Sequence, residues 1–492
     1  MTDPLKKADV MEHVTKERPL SQRKQELAEH FDRIASGREP WKRNRYYHDE
    51  LARFVSFVVP RGSRVLEIGC GAGDLLAATR PREGVGVDLS PEMLNVARRR
   101  HPEHEFAAGD AEDLAVEGTF DYVIVADLIG YLEDVQLAFD NLHRVTSSDS
   151  RIVITYFNYL WEPVLSLAQK LGVMTPQRRQ NWLALSDIVN LLYLCDFEVI
   201  TSGYRLLLPQ WIPGISWVAN RILAKIPGIR KLCLVQYVIA KPVCRRSPES
   251  AAHSVSVVIP CRNERGNIES AIQRMPRLGS RTEVVFVDGN STDGTAAEIE
   301  RVAGLYSGRW PIRLLHQGDG IGKGDAVRKG FAAAEGDVLM ILDADLTVPP
   351  EDLPKFYDAL ASGKGEFING TRLVYPMEQQ AMRTLNLIGN KFFSLAFSWL
   401  LEQRFRDTLC GTKVLFKRDY EKIAANRHYF GDFDPFGDFD LIFGASKLNL
   451  KIVEVPVRYR ERTYGTTNIS RFRHGWLLLR MCLVAFYKLK LN

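Results

Sequence analysis

The sequence predicts an α/β chain of two domains, each built around a mostly parallel sheet. Two observations carry this. Apolar, β-branched runs at Arg64–Ile68 and Ser254–Pro260 each lead straight into a glycine-rich or polar turn, the pattern of a first strand entering a ligand-facing loop. Between them CRRSPESAAH (Cys244–His253) is polar and lacks apolar periodicity, so it reads as a linker. A first domain over residues 1–243 and a second over 254–492 follow, each long enough to bury its own core.

Composition narrows the function. The net charge of +5 comes without a dense basic tract, which argues against nucleic-acid binding. The seven cysteines (Cys70, Cys195, Cys233, Cys244, Cys261, Cys410 and Cys482) are odd in number and scattered, so neither a disulfide framework nor a zinc site is expected. A reducing cytosol suits them. The polar N-terminal stretch reads as no secretory leader, and no apolar run reaches the roughly 18–20 residues of a spanning helix.

In the first domain, strands are expected at Arg64–Ile68, Gly84–Val87, Glu105–Ala107, Tyr122–Ala126, Arg151–Tyr156, Phe197–Ile200 and Cys233–Ala240. Amphipathic stretches such as Pro91–Arg99 and Val135–Val145 separate them, giving a doubly wound pattern. VLEIGCGAGDLL places Gly69, Gly71 and Gly73 directly after the first strand, where a backbone free of Cβ atoms can approach a ligand. The GxGxG spacing differs from the GxGxxG of dinucleotide enzymes. Glu67, two residues before the first glycine, is placed to meet a ligand's amino group. Asp88 ends the next strand and can accept ribose hydroxyls; Asp110 ends the third, near an adenine amino group. Asp127 and Tyr131 follow the fourth strand, over the same crevice.

This set resembles the class I S-adenosylmethionine (SAM)-dependent methyltransferases over about Phe31–Pro242. The resemblance implies a Rossmann-like fold and SAM as cofactor, held by Glu67, Gly69, Gly71, Gly73, Asp88, Asp110, Ala111 and Asp127. Many relatives carry histidine near the position of Tyr131; here the segment reads LIGYLED, with no evident general base. Displacement from a sulfonium can proceed by positioning alone when the acceptor is already nucleophilic.

The second domain opens with SVSVVIPCRNE, and VVFVDGNSTDGT follows, with Asp288 placed to bind the edge of uracil or guanine. GDGIGKGDAVRKGF then brings Lys323 and Arg328 toward a diphosphate. DVLMILDADLTVPPEDL ends a buried strand in Asp343 and Asp345, hard oxygen ligands suited to Mg²⁺ or Mn²⁺. In this order the elements look like a GT-A, family 2 glycosyltransferase, most similar to the dolichol- or polyprenol-phosphate hexose synthases, over Ser254–His474. The likeness includes NGTRL, DTLCGTKVLFK, FDLIFGAS and EVPVRYRERTYGTTN. It implies nucleotide-sugar contacts at Pro260, Asn263, Glu264, Asp288, Asn290, Lys323, Asp343 and Ala344, a metal at Asp343 and Asp345, and catalytic roles for Asp345, Arg372, Arg383 and Arg462. Arg372 and Arg383 match the pair that holds an acceptor phosphate, an anionic nucleophile that needs cations more than a base. Two departures stand out: Thr347 replaces a frequent glutamine ligand, and Asn468 replaces a phosphate-contacting lysine.

Leu385–Glu402 is apolar except for a narrow polar stripe (Asn386, Asn390, Ser394, Ser398, Glu402), and the final segment from Arg471 mixes apolar and basic residues. Both read as amphipathic helices in a membrane interface, with burial against each other or against a partner subunit as the plainer alternative. The expected protein is a bifunctional enzyme on the inner face of the membrane, peripherally bound from the cytoplasm. It would transfer a hexose from UDP- or GDP-hexose to a lipid phosphate and a methyl group from SAM to a related acceptor; a homo-oligomer is compatible with this. The alternative is transfer to a sugar hydroxyl, which needs a carboxylate base at Asp407 or Asp440, with the first domain a SAM-binding scaffold.

Overall fold

The structure, a computed structural model, describes residues 20–37, 44–170, 180–243, 253–372, 384–403, 405–407, 410–427, 439–457, 464 and 471–490, without the side chains of 168, 169, 384–391 and 471–475. The chain divides into two compact units, residues 1–243 and 244–491. Apart from His253, the expected linker lies outside the described residues, as do Arg383 and Arg462.

Unit 1 runs α1 (Gln22–Ala35), α2 (Arg45–Val58), β1 (Arg64–Ile68), α3 (Asp74–Ala78), β2 (Glu83–Asp88), α4 (Pro91–Arg100), β3 (Glu105–Ala108), β4 (Tyr122–Ala126), α5 (Val135–Asn141), β5 (Arg151–Phe157), α6 (Glu162–Lys170), α7 (Leu185–Leu194), β6 (Phe197–Arg205), α8 (Ile215–Arg221) and β7 (Val235–Pro242). Its described sheet has the order β3-β2-β1-β4-β5-β7-β6. The first five strands are parallel and β7 is antiparallel to both β5 and β6. Strands covered on both faces need continuous apolar side chains, and β4 and β5 supply them in YVIVA and RIVITYF. Local signals agree with the sheet. Ser90 caps α4 by accepting from the Met93 amide, Pro91 opens it, and three arginines close it.

The chain reverses its direction of travel across the sheet between β1 and β4. At such a point two successive loops part and leave a crevice at the carboxyl ends of the strands. All the acids expected from the sequence lie along that edge.

Unit 2 runs β8 (Val255–Cys261), α9 (Arg265–Gln273), β9 (Thr282–Asp288), α10 (Thr295–Leu305), β10 (Ile312–His316), α11 (Gly322–Ala333), β11 (Val338–Ile341), α12 (Leu353–Ala361), β12 (Phe367–Thr371), α13 (Thr384–Leu401), β13 (Lys413–Phe416), α14 (Lys417–Ala425), α15 (Phe439–Lys447), β14 (Ile452–Pro456) and α16 (Arg471–Ala485). Its described sheet has the order β10-β9-β8-β11-β13-β12-β14, with β13 antiparallel to its neighbours. The reversal here falls between β8 and β11, which places Asp288 and the Asp343–Asp345 pair at the same edge.

Each of the two apolar helices is covered on one face. The polar stripe of α13 serves its own loop: Ser394 and Ser398 donate to the Phe405 carbonyl, and the Phe405 amide donates to Ser398. Below α16, Phe486 stacks on Trp399 of α13 and Lys490 pairs with Glu402. The plainer alternative therefore accounts for one face of each helix. The other faces still leave Phe392, Leu395, Trp476, Leu483 and Tyr487 exposed. Among the described residues, no helix is long and apolar enough to cross a membrane.

Candidate active sites

The crevice of unit 1 is organised by carboxylates that hold backbone. Gly73 precedes α3 with φ of 77°, and a Cβ there would lie 2.8 Å from the Phe106 ring, so both conformation and space require glycine. Asp88 accepts from the Gly71 amide at 2.8 Å through Oδ2 and from the Ser90 amide at 2.9 Å through Oδ1. Each oxygen thus spends one acceptor site on the loop and retains another for a ligand hydroxyl. A Cβ on Gly71 would meet nothing within 4 Å, so the loop faces open space at the point where a ligand is expected.

Three expected residues have partners that the sequence did not suggest. Glu67 is 2% exposed and accepts from the Leu76 amide at 2.9 Å through one of its two oxygens, holding the first turn of α3. Burial pushes its carboxyl well above the usual range. Asp110 binds Lys24 of α1 at 2.5 Å, and Lys24 also binds Glu112 at 2.9 Å. The proposed adenine contact therefore shares its carboxylate with an ion pair from the first helix. Ala111 beside it is buried.

Asp127 takes a left-handed backbone with φ of 53° and accepts from the Tyr47 hydroxyl of α2 at 2.6 Å. Among the described residues its buried Oδ1 has no hydrogen-bond partner. Burial raises its pKa to about 6, against the lowering effect of the Tyr47 hydrogen bond. Phe31 of α1 meets Tyr131 edge-on at 5.5 Å, while Gln180 donates to the Tyr131 hydroxyl at 2.6 Å. Burial pushes Tyr131 up to about 12, so it stays protonated at neutral pH and serves as a hydrogen-bonding wall.

A raised carboxyl pKa means that the folded state binds its proton more tightly than the unfolded chain does. The contribution of Asp127 to stability therefore falls as pH rises from the usual carboxylate value through about 6. Its size is on the order of 2–3 kcal/mol. Asp127→Asn should flatten the fall in stability between pH 4 and about 6 relative to wild type, read from urea midpoints across that window. Superimposable pH profiles would remove Asp127 as a buried titrating group.

In unit 2, Lys323 from the first turn of α11 binds Asp343 at 2.7 Å. Burial pushes the Asp343 carboxyl up, but Lys323, Lys413 and Arg372 together hold it below the usual range. Asp345 accepts from Thr347 twice, from the hydroxyl at 2.8 Å and from the amide at 3.2 Å. The residue that departs from the frequent glutamine thus orients the second carboxylate. The backbone approaches this pair closely at Gly411, where a Cβ would sit 1.9 Å from Asp343 Oδ2. Ala344 between the two acids is buried. Two carboxylates are hard oxygen donors that would suit Mg²⁺ or Mn²⁺, and Lys323 supplies the positive charge beside Asp343. Among the described residues no group of three or more His, Cys, Asp and Glu side chains forms a metal site unaided.

Asp288 ends β9 3% exposed, with Oδ1 buried and without a hydrogen-bond partner among the described residues, and Oδ2 accepting weakly from the Ser291 amide at 3.3 Å and facing His316 at 3.8 Å. The other expected nucleotide contacts lace loops together. The Asn263 side chain accepts from the Thr292 amide, Glu264 accepts from Asn267, and Asn290 donates to the Gly318 carbonyl. Pro260 lies at the end of β8.

Arg372 points its guanidinium into a buried acid rather than an open pocket. Nε and Nη2 donate to the two oxygens of Asp407 at 2.7 and 2.8 Å, and the Arg372 amide adds a third bond. Asn369 donates to the Asp407 carbonyl, and Glu454 accepts from the Asp407 amide. Segments from NGTRL, DTLCGTK and EVPVRYR therefore meet at one ion pair. The expectation of Asp407 as a base is corrected, because both its oxygens are committed. Asp440 is held by Arg427 at 3.2 Å and faces Arg328 at 3.9 Å. Sequence reading missed Tyr47, Lys24 and Lys413. Lys413 is wholly buried, with Nζ donating to the Cys410 carbonyl. A lysine within the apolar strand KVLF was its only signal.

Two sheets, each with acids gathered at a topological switch point, define a two-domain α/β protein with a ligand crevice in each domain. Residues 65–149 match the family model described as a methyltransferase domain, and residues 256–423 match that of glycosyl transferase family 2. The chain thus carries a methyltransferase domain and a family 2 glycosyltransferase domain. Among curated relatives it is 37% identical over 122 residues to a dolichol-phosphate mannosyltransferase of Pyrococcus furiosus, covering 24% of this chain and 33% of that protein. It is 29% identical over 227 residues to glycosyltransferase AglJ of Haloferax volcanii, covering 46% of this chain and 69% of that one. The chain spans about a third of the Pyrococcus enzyme's length. A solved SAM-dependent methyltransferase from Thermotoga maritima is 16% identical, covering 44% of this chain and 99% of that one, with a TM-score of 0.35.

Proposed function

We propose that unit 2 transfers a hexose from UDP- or GDP-hexose to a polyprenyl or other lipid phosphate, and that unit 1 transfers a methyl group from SAM to a related acceptor, with residues 244–253 as the linker between the two domains. The observation that carries the first activity is Asp343 and Asp345 beside Lys323, at the sheet edge they share with Asp288. Asp288 would read the base, Lys323 would neutralise the diphosphate, and a divalent ion held by the two carboxylates would stabilise the leaving nucleotide. Arg383 and Arg462, with Arg372 behind its ion pair, are the proposed cationic groups for acceptor and donor phosphates. A lipid phosphate arrives already anionic. The pairing of Asp407 and Asp440 with arginines supports that acceptor over a hydroxyl, which needs a free base. The exposed aromatic residues of α13 and α16 support peripheral attachment to the cytoplasmic face of a membrane.

For unit 1, the open face at Gly71 and the spare acceptor capacity of Asp88 support SAM binding by the glycine loop, Asp88, Asp110 and Asp127. Asp88→Ala should weaken SAM binding by roughly 1.5–3 kcal/mol, since a charged acceptor is lost and the loop amide of Gly71 is released. Unchanged affinity by calorimetry would displace SAM from this crevice. The test of the whole reading is mass spectrometry of products from labelled nucleotide sugars, polyprenyl phosphate and SAM. A product lacking the lipid phosphate rejects the proposed acceptor.

A further inference from the structure

The end of β4 in unit 1 joins one acid to three phenols. Asp127 is the first residue beyond the strand and holds a left-handed backbone, which Asp and Asn tolerate and most residues avoid. Its Oδ2 accepts from the Tyr47 hydroxyl, while Oδ1 has no hydrogen-bond partner among the described residues. On the neighbouring strand the Thr155 hydroxyl is also buried without a partner among them, and the Thr155 carbonyl accepts from the Asp127 amide at 2.9 Å. Thr155 and Phe157 share one face of β5, and the Phe157 ring lies 5.7 Å from that of Tyr47. Two buried oxygens with unused bonding capacity therefore belong to the adjacent strands where β4 ends.

The ionisable groups facing Asp127 among the described residues are Tyr47 from α2, Tyr131 from the turn after β4 and Tyr156 from β5, with Glu162 of α6 acting on Tyr156. Burial pushes all three phenols upward, so they stay protonated at neutral pH and Asp127 is the group among these four that titrates near it. Residues 180 and 181 strap two of the phenols in place. Gln180 donates to the Tyr131 hydroxyl, and the Tyr156 hydroxyl donates to the Asn181 carbonyl at 2.5 Å, over Gly130, where no Cβ would fit. The Tyr131 hydroxyl accepts in its bond, so its own proton is left to donate. Tyr47 and Tyr156 are buried, whereas Asp127 and Tyr131 are partly exposed. The two side chains that a ligand can reach thus offer one charged acceptor and one donor.

We propose that Asp127, oriented by Tyr47, takes the proton from the methyl acceptor, and that this acceptor presents an uncharged hydroxyl, of the kind a sugar carries, to Asp127 and Tyr131. The hydroxyl oxygen bonds to the methyl carbon of SAM, the carbon–sulfur bond breaks with its electron pair leaving on sulfur as a thioether, and the hydroxyl proton passes to Oδ1 of Asp127. The O–H group becomes strongly acidic as the new carbon–oxygen bond forms, so a carboxylate suffices as the base. A phosphate or carboxylate acceptor would arrive anionic, would need no base and would be repelled by the Asp127 charge. Tyr47 is a positioning residue: its bond to Oδ2 turns Oδ1 toward the acceptor. The inference rests on the reading of unit 1 as a SAM-dependent methyltransferase, and names the class of its acceptor.

Calorimetry on the full chain, in buffers of different ionisation enthalpy, tests this placement without any acceptor. A sulfonium beside Asp127 favours the carboxylate, so SAM should release up to about half a proton at a pH of about 6, where the free chain holds Asp127 about half protonated. S-adenosylhomocysteine, the neutral thioether, should release clearly less. Subtracting the two cancels proton exchange at Glu67 and Asp88, whose carboxyls burial also pushes up. Asp127→Asn, which keeps the shape and still accepts from Tyr47, should fold by thermal unfolding, bind SAM and erase the difference. Methyl transfer from labelled SAM should reach octyl glucoside rather than octyl phosphate, and fall roughly a hundredfold or more in Asp127→Asn. The rate should rise with pH through the pKa of Asp127, below about 6 once SAM is bound, and Tyr47→Phe should move that limb to higher pH, because the Tyr47 hydrogen bond holds the pKa down. Equal proton counts for SAM and S-adenosylhomocysteine, a difference that survives Asp127→Asn, label on octyl phosphate, or a pH limb that Tyr47→Phe leaves in place overturns the proposal. A wild-type chain that binds no SAM rejects the methyltransferase reading itself, whereas SAM bound with equal proton counts rejects this inference alone.

Discussion

If unit 2 transfers a sugar with a divalent ion held at Asp343 and Asp345, Asp345→Asn should lower that transfer by about a thousandfold or more and leave methyl transfer by unit 1 at its wild-type rate. The substitution keeps the shape of the side chain and one oxygen able to accept from Thr347, so the loop after β11 keeps its geometry. What it removes is one of two negative charges at the strand end. A divalent ion held here would have very few protein ligands, so losing an anionic one should cost several kcal/mol of leaving-group stabilisation. Asp345 belongs to unit 2, and the acids proposed to bind SAM belong to unit 1. Excess EDTA should reproduce the variant in the wild-type chain, and added Mg²⁺ or Mn²⁺ should reverse it. Sugar transfer that persists undiminished in EDTA would falsify the metal assignment.

Breaking the Arg372–Asp407 pair destabilises unit 2 by about 3–5 kcal/mol, because a buried charge is left without its partner. The side chains are 11% and 1% exposed, so water cannot replace what is lost. Arg372→Met alone strands Asp407, and Asp407→Leu alone strands the guanidinium. The double variant should recover most of that loss, since apolar groups of similar volume replace a buried pair at little cost. This recovery separates two roles. If the refolded double variant keeps transfer to polyprenyl phosphate, Arg372 only shapes the loop. If stability returns and transfer does not, Arg372 acts on phosphate as well. Denaturant midpoints and product assays on the three variants together give the answer, and a double variant as unstable as the worse single one contradicts the buried-pair argument.

Much of this was legible in the residues. Strands such as β1, β4 and β5 were readable within a residue or two because a strand covered on both faces demands uninterrupted apolar residues. Position at a strand end also located Asp88, Asp110, Asp127, Asp288, Asp343 and Asp345, since ligands in such folds collect at carboxyl ends. The polar stripe of α13 was legible only as a polar face, because periodicity leaves the partner of that face unnamed. The partner of Ser394 and Ser398 is the carbonyl of Phe405, beyond the end of the helix.

The sequence by itself determined the two-domain order, the alternation of strands and helices, and the carboxylates at the two crevices. These depend on short-range periodicity and on turn chemistry, both local in the chain. Only the tertiary structure decided what each charged group faces. Lys24 reaches Asp110 across 86 residues, Tyr47 reaches Asp127 across 80, and Arg372 closes on Asp407 across 35. A carboxylate's chemistry depends on its burial and on which cation or hydroxyl lies within about 3 Å. That proximity is fixed by how helices and loops pack over the sheet, so Glu67 becomes a cap, Asp407 a counter-ion, and Asp127 a buried acid with one oxygen still unsatisfied.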